Sequence, residues 1–144
     1  MPSFNIFNIA GSGMSAQTVR LNTTASNLAN ADSVSSTADA AYKARHPVFK
    51  AVQAAVAGQL NNQLGAQASS SVQVTGIMQD KAAAQARYEP GNPMANADGY
   101  IYSSNVNVVE EMADMISASR SYQNNVEVMN TSKDLMLATL KLGQ

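Results

Sequence analysis

Large apolar side chains recur every seven residues at both ends of this chain. Phe7, Met14, Leu21 and Leu28 form one column near the start. Val108, Met115, Tyr122, Met129 and Met136 form another near the end, with Met112, Val126 and Leu140 in a second column beside it. A seven-residue period keeps a stripe on one side of an α-helix, as in a coiled coil. It predicts one helix from about Phe4 to Ala31 and a second from Val108 towards the C-terminus. The first is the weaker of the two: Ala10, Gln17 and Thr24 fill its intervening seam positions, and Gly11 and Gly13 each weaken a helix by about 1 kcal/mol relative to Ala. The second is better signalled. Asn107 can cap it, Glu110 stands three residues on, and Glu110, Glu111 and Asp114 put negative charge at the positive end of the helix. Ser119 and Lys133 interrupt its second column.

Both ends are also apolar off the stripe, through Ile6 and Ile9 at the start and Leu135, Leu137 and Leu142 at the end. A single partner helix covers one stripe, so a helix apolar on several faces needs cover from several sides. Charged residues make up 13% of the chain, about half the usual share of roughly 25%. Residues 1–31 carry only Arg20. Such surfaces suit burial against other protein better than isolation in water.

The segment between the helices reads as strands and turns. Tyr42 to Phe49, Val72 to Met78 and Tyr100 to Tyr102 have the alternation and residue types of strands. Tyr88 to Pro93 is a proline-bounded turn, and Asp98-Gly99 signals a tight turn. Residues 32–41 read as an exposed loop, while Ala51 to Gln67 fits a short helix and a loop equally. The expected fold class is α+β, with long N- and C-terminal helices packed as a coiled-coil-like pair and a small β-rich middle domain. The corresponding divisions are 1–34, 35–105 with a variable loop near 50–70, and 106–144.

Catalytic chemistry has little to draw on. There is no cysteine, and His46, the only imidazole, lies in a strand-like run before Pro47. A transition-metal site and a cofactor are therefore not expected. Glu110 and Glu111 are neighbours on a helix and point about 100° apart, so they read as first-turn residues, not as a catalytic pair. Gly11-Ser12-Gly13 lacks the lysine and the preceding strand of a phosphate loop. A net charge of -1 offers no field for nucleic acid or anionic lipid. Neither a membrane-spanning run nor a cleaved secretory signal is expected from the pattern.

Two stretches are more specific. Leu21-Asn22-Thr23-Thr24-Ala25-Ser26-Asn27-Leu28-Ala29-Asn30 resembles the N-terminal signature of the bacterial flagellar rod and hook axial proteins, with Asn27 to Asn30 as its core. Asn105 to Met112, continuing through Ser117 to Gln123 and on to Leu142, resembles the C-terminal helix of the same family. Ile6 to Met14, Tyr88 to Pro93 and the short middle are similar to its proximal-rod members.

The resemblance implies a structural subunit of the flagellar basal-body rod, located in the periplasm and delivered by the flagellar type III export apparatus without a cleaved signal. It would co-assemble with copies of itself, other rod proteins and the base protein joining rod to ring, into a tubular drive shaft enclosing the export channel. The assembly interface is expected at Phe7, Met14, Leu21, Asn27, Leu28, Asn30, Val108, Met112, Met115, Tyr122, Val126, Met129, Met136 and Leu140. Gln123, Asn124 and Asn130 are expected to face the channel. The residues alone leave open a secreted helical adaptor that does not polymerise.

Overall fold

The computed structural model describes residues 2–53 and 70–142. Helix α1 (Pro2–Ala29) and helix α2 (Val108–Leu142) enclose five strands in the chain order: β1 (Val34–Ser35), β2 (Arg45–Gln53), β3 (Ser70–Gln79), β4 (Gln85–Tyr88) and β5 (Tyr100–Ser103). At 28 and 35 residues the helices are about 42 and 52 Å long.

α1 ends where Asn30 stops it. The Asn30 side chain donates to the Ser26 carbonyl at 2.8 Å, and its backbone N–H reaches the Ser26 and Asn27 carbonyls. These bonds satisfy carbonyls that a helix end leaves without partners. α2 starts as expected. The Asn107 Oδ1 accepts from the Val109 N–H at 3.1 Å and the Glu110 N–H at 3.5 Å.

The helices pack antiparallel, but not along the large apolar columns. Arg20 meets Asp114, Asn27 meets Glu111, and a Cβ built on Gly13 would stand 2.9 Å from the Asn125 amide. The α1 side of the seam therefore runs through Gly13, Arg20 and Asn27, with Ala10, Gln17 and Thr24 between. Its α2 side runs through Glu111, Ala118 and Asn125. Ala10, Thr24, Asn27, Glu111 and Ala118 are all buried. Small residues let the helix axes come close, and little hydrophobic free energy comes from covering them. The Oε1 of Gln17 is enclosed in the seam without a hydrogen-bond partner among the described residues. Such an atom costs roughly 1–3 kcal/mol.

The middle forms two small sheets. β2 and β3 make an antiparallel hairpin lying along α1, fastened by the Val72 N–H donating to Ser12 Oγ at 3.1 Å. A bulge at Thr75 shifts the register between Val48 and Phe49. β5 is the centre of a three-stranded antiparallel sheet, flanked by β1 and β4. Its Ile101 is the one large apolar side chain among the described residues that is fully buried; the rest of the buried apolar set is alanine. The β4–β5 connection turns at Gly99, whose φ of +80° an L-residue rarely adopts, with the Asn96 Oδ1 accepting from the N–H groups of Asp98 and Tyr100.

Several expectations change here. The first strand starts at Arg45, three residues later than expected, because Tyr42 and Ala44 are taken up in side-chain and backbone bonds to Asn27 and Asn105. The 32–41 loop contains β1, held to β5. Residues 51–53 continue β2, and the remainder of the ambiguous segment lies outside the described residues.

Gly99→Ala is expected to destabilise the protein by about 1–2 kcal/mol or more. The added Cβ would sit 2.9 Å from the Tyr88 ring and in a strained backbone conformation. Gly11→Ala meets nothing within 4 Å and should stabilise α1 by up to about 1 kcal/mol. Thermal unfolding followed by circular dichroism measures both.

Candidate assembly interface

One amide joins the three parts of the chain. Asn27 is fully buried on the last turn of α1. Its Nδ2 donates to the Arg45 carbonyl and to Glu111 Oε1, both at 2.8 Å. Its Oδ1 accepts from the Arg45 N–H at 2.9 Å and the Tyr42 hydroxyl at 3.0 Å. The first residue of β2 and the first turn of α2 are thus held to α1 by a single side chain whose hydrogen-bonding capacity is filled. Glu111, which the sequence marks only as a first-turn acid, is buried as the α2 half of this lock. Beside it Arg20 and Asp114 form an ion pair at 2.8 Å with both side chains about one-third exposed, at 29% and 37%. Asn105 makes a second tie, accepting from the Ala44 N–H at 2.7 Å and donating to the Ala82 carbonyl at 3.2 Å.

Asn27 is therefore buried and fully bonded within its own chain. It works inside the fold. Asn30 is half-buried and caps its own helix.

The apolar residues expected at the interface fall elsewhere. Phe7, Met14, Leu21 and Leu28 lie about 75° round α1 from the seam, at 100° per residue. All four are half-buried. Met115, Tyr122, Met129 and Met136 stand four residues on from the α2 seam column, about 40° round the helix. Because the helices are antiparallel, these rotations bring both columns to the same side of the pair. Ser12 and Thr23, on the hairpin flank of α1, lie on the opposite side. The result is one apolar ridge along the helix pair, facing away from the hairpin. Met115, Val126, Met129 and Met136 are half-buried along or beside it, while Val108, Met112, Tyr122 and Leu140 are exposed.

α2 also carries apolar residues that stay exposed among the described residues. Among the described elements it contacts α1 alone. Val109 is 76% exposed, and Ile116, Val128, Leu135 and Leu137 are exposed as well. Periodicity alone does not separate these faces, because apolar residues occur nearly all round the helix.

His46 is exposed on β2, paired in register with Met78. Among the described residues no group of three His, Cys, Asp or Glu side chains could hold a metal ion. No helix of the described residues is long and apolar enough to cross a membrane. The hollows are open surface features: one of about 320 Å³ lies between α1 and the hairpin.

A helix pair locked at one end by polar bonds and clothed on part of its surface defines a subunit completed by its neighbours. Residues 7–35 match the family described as flagella basal body rod protein, and residues 97–142 match the flagellar basal body rod FlgEFG protein C-terminal family. The chain is 49% identical to the flagellar basal-body rod protein FlgC of Salmonella typhimurium, over 144 residues and the whole of both chains. It is 50% identical to FlgC of Escherichia coli O157:H7 over the same full span. FlgC of Bacillus subtilis is 31% identical over 150 residues, again covering both chains completely. The chain belongs to the FlgC family of flagellar basal-body rod proteins.

Removing the Asn27 amide leaves a carboxylate oxygen and two backbone groups unsatisfied in a buried site. Asn27→Ala is expected to cost at least about 3 kcal/mol. Arg20→Ala, in a partly exposed pair, should cost about 1 kcal/mol or less. Urea unfolding of the two variants side by side tests this ranking. Equal midpoints would contradict the assignment of Asn27 as the lock.

Proposed function

We propose that this chain is a wall subunit of the flagellar rod, packed side by side with copies of itself and with other rod proteins, and exported unfolded before it folds in place. The observation that carries this reading is the exposed surface of α2, which is 35 residues long and among the described elements packs against α1 alone. Burying an exposed leucine is worth roughly 1.5–3 kcal/mol, and α2 alone offers several. An adaptor working alone would leave that gain unused and those faces sticky.

In the tube, apolar sides of neighbouring helix pairs close on one another, and torque passes through a close-packed wall of low compressibility. The chemistry of such a part is mechanical, not catalytic. The scarcity of large buried side chains supports export in an unfolded form, because little core has to be undone. Gln123 and Asn130 lie on the side of α2 turned away from α1, and with Asn124 they are exposed. That supports their lining the central channel, where uncharged amides hold passing chains weakly. The base protein that joins rod to ring would meet one end of the same ridge.

Leu135 and Leu140 are 62% and 69% exposed in the free chain. Leu135→Asp and Leu140→Asp should therefore change monomer stability by no more than about 0.5 kcal/mol. Each should abolish swimming in soft agar while the protein is still exported. Unimpaired swimming by both would remove α2 from the wall.

A further inference from the structure

On the opposite side from the helical ridge, the chain exposes two further apolar side chains, Val48 and Met78. Side chains alternate across the β2–β3 hairpin. Ile77 and Arg45 turn towards α1, where they line a hollow with Val19, Asn22, Thr23 and Ser26. Val48 and Met78 therefore turn away from it. Both are exposed, Met78 at 59%. Neither strand of the hairpin carries a carboxylate, and β3 carries no charge at all. His46, paired with Met78, and Lys50, two residues on from Val48, share that outer face, so the hairpin has one face on a helix and an opposite face that is apolar and exposed only at Val48 and Met78.

We propose that the outer face of the β2–β3 hairpin, centred on Val48 and Met78, docks onto the helical ridge of a second copy of this chain, around Leu21, Met115 and Tyr122. This rests on the rod reading above and adds which surface meets which. Two arguments select a second copy as occupant. The ridge and the hairpin face lie on opposite sides of one chain, so a copy placed beside another brings one against the other. The contact is then between unlike surfaces, and unlike surfaces propagate into rings or helices, where a self-complementary patch would close as a dimer. The ridge side also matches in chemistry. It is rich in methionine and leucine, adaptable enough to receive a twisted two-stranded ribbon.

The size of the contact has a consequence. A hairpin of nine or ten residues a strand presents an outer face about 30 Å long and 10 Å wide. That is roughly 300 Å² per partner, well short of the ~800 Å² of a stable pair. The free chain stays monomeric by this surface alone, and the contact holds only where further contacts act with it.

A photo-crosslinking amino acid, p-benzoylphenylalanine, placed at Met78 in cells tests this in purified basal bodies, with Val48 as a second position. Both sites are exposed, so the fold tolerates them. Asp114 of α2 shares a hollow with Arg45, His46, Pro47 and Phe49 of its own chain, so only an adduct that runs as a dimer of the chain counts as a neighbour's. The expected product is a dimer of the chain whose crosslinked peptide contains Met115 or Tyr122. Crosslinks joining hairpin to hairpin, crosslinks only to other proteins, or no adduct from either position in basal bodies that contain the chain would each overturn the docking. Absence of the chain from those basal bodies would overturn the rod reading itself, and the docking with it.

Discussion

The Asn27 side chain fixes how the parts of this molecule meet. A buried amide has two donor hydrogens and an acceptor oxygen with two lone pairs, and here all four are used: on the backbone of β2, on Tyr42 and on a carboxylate of α2. Such a bond set has one geometry. It sets the distance from the end of α1 to the start of β2, and the register at which α2 returns along α1. Hydrophobic contacts alone would permit sliding, because a stripe of methionines and leucines packs nearly as well one turn along. Buried polar groups penalise every register but one, because each misplacement leaves donors and acceptors without partners. The Arg20–Asp114 pair sits one to two turns away and adds direction at little net energy.

The register so chosen puts small residues between the helices. With Gly13, Ala10 and Ala118 in the seam, the axes come close and the large side chains are displaced to the sides. Each buried alanine contributes little, and the enclosed Gln17 oxygen subtracts from the sum. A seam of leucines would have made a more stable solitary chain and would have consumed the surfaces needed for neighbours. Specificity within the chain is carried by polar atoms, and on the proposed reading attraction between chains is left to apolar ones.

That division explains what is legible in the residues and what is not. The existence of both helices follows from spacing, and the Asn107 cap and the Asp98-Gly99 turn from residue chemistry. The location of the seam does not. Apolar periodicity picks out Phe7, Met14, Leu21 and Leu28, yet the helices meet along the column one residue earlier, where Gly13, Arg20 and Asn27 carry no hydrophobic signal. Asn27 and Asn30 stand out by resemblance to a family signature, which says that they matter but not whether they face inward or outward. Glu111 is hidden for another reason. Its acidity already has a sufficient explanation at the helix start, and only the fold shows it buried against Asn27. β1 and β4 span two and four residues, too few for alternation to register, and both exist because β5 offers edges for pairing.

A thin core also changes what stability means for such a chain. Any partner that binds the folded form and not the unfolded one adds to its stability by mass action. When the partner is the rest of a rod, held at the high local concentration of a growing tip, that contribution can exceed everything the monomer supplies. The polar lock at Asn27 then preselects the conformation in which the ridge and the hairpin face are correctly set, so that assembly starts from an ordered template at modest cost in ordering. On the proposed reading of export in an unfolded form, a larger core would be harder to undo, and without the lock the apolar surfaces would have no fixed arrangement. The arrangement found here, rigid where the chain is polar and incomplete where it is apolar, satisfies both demands.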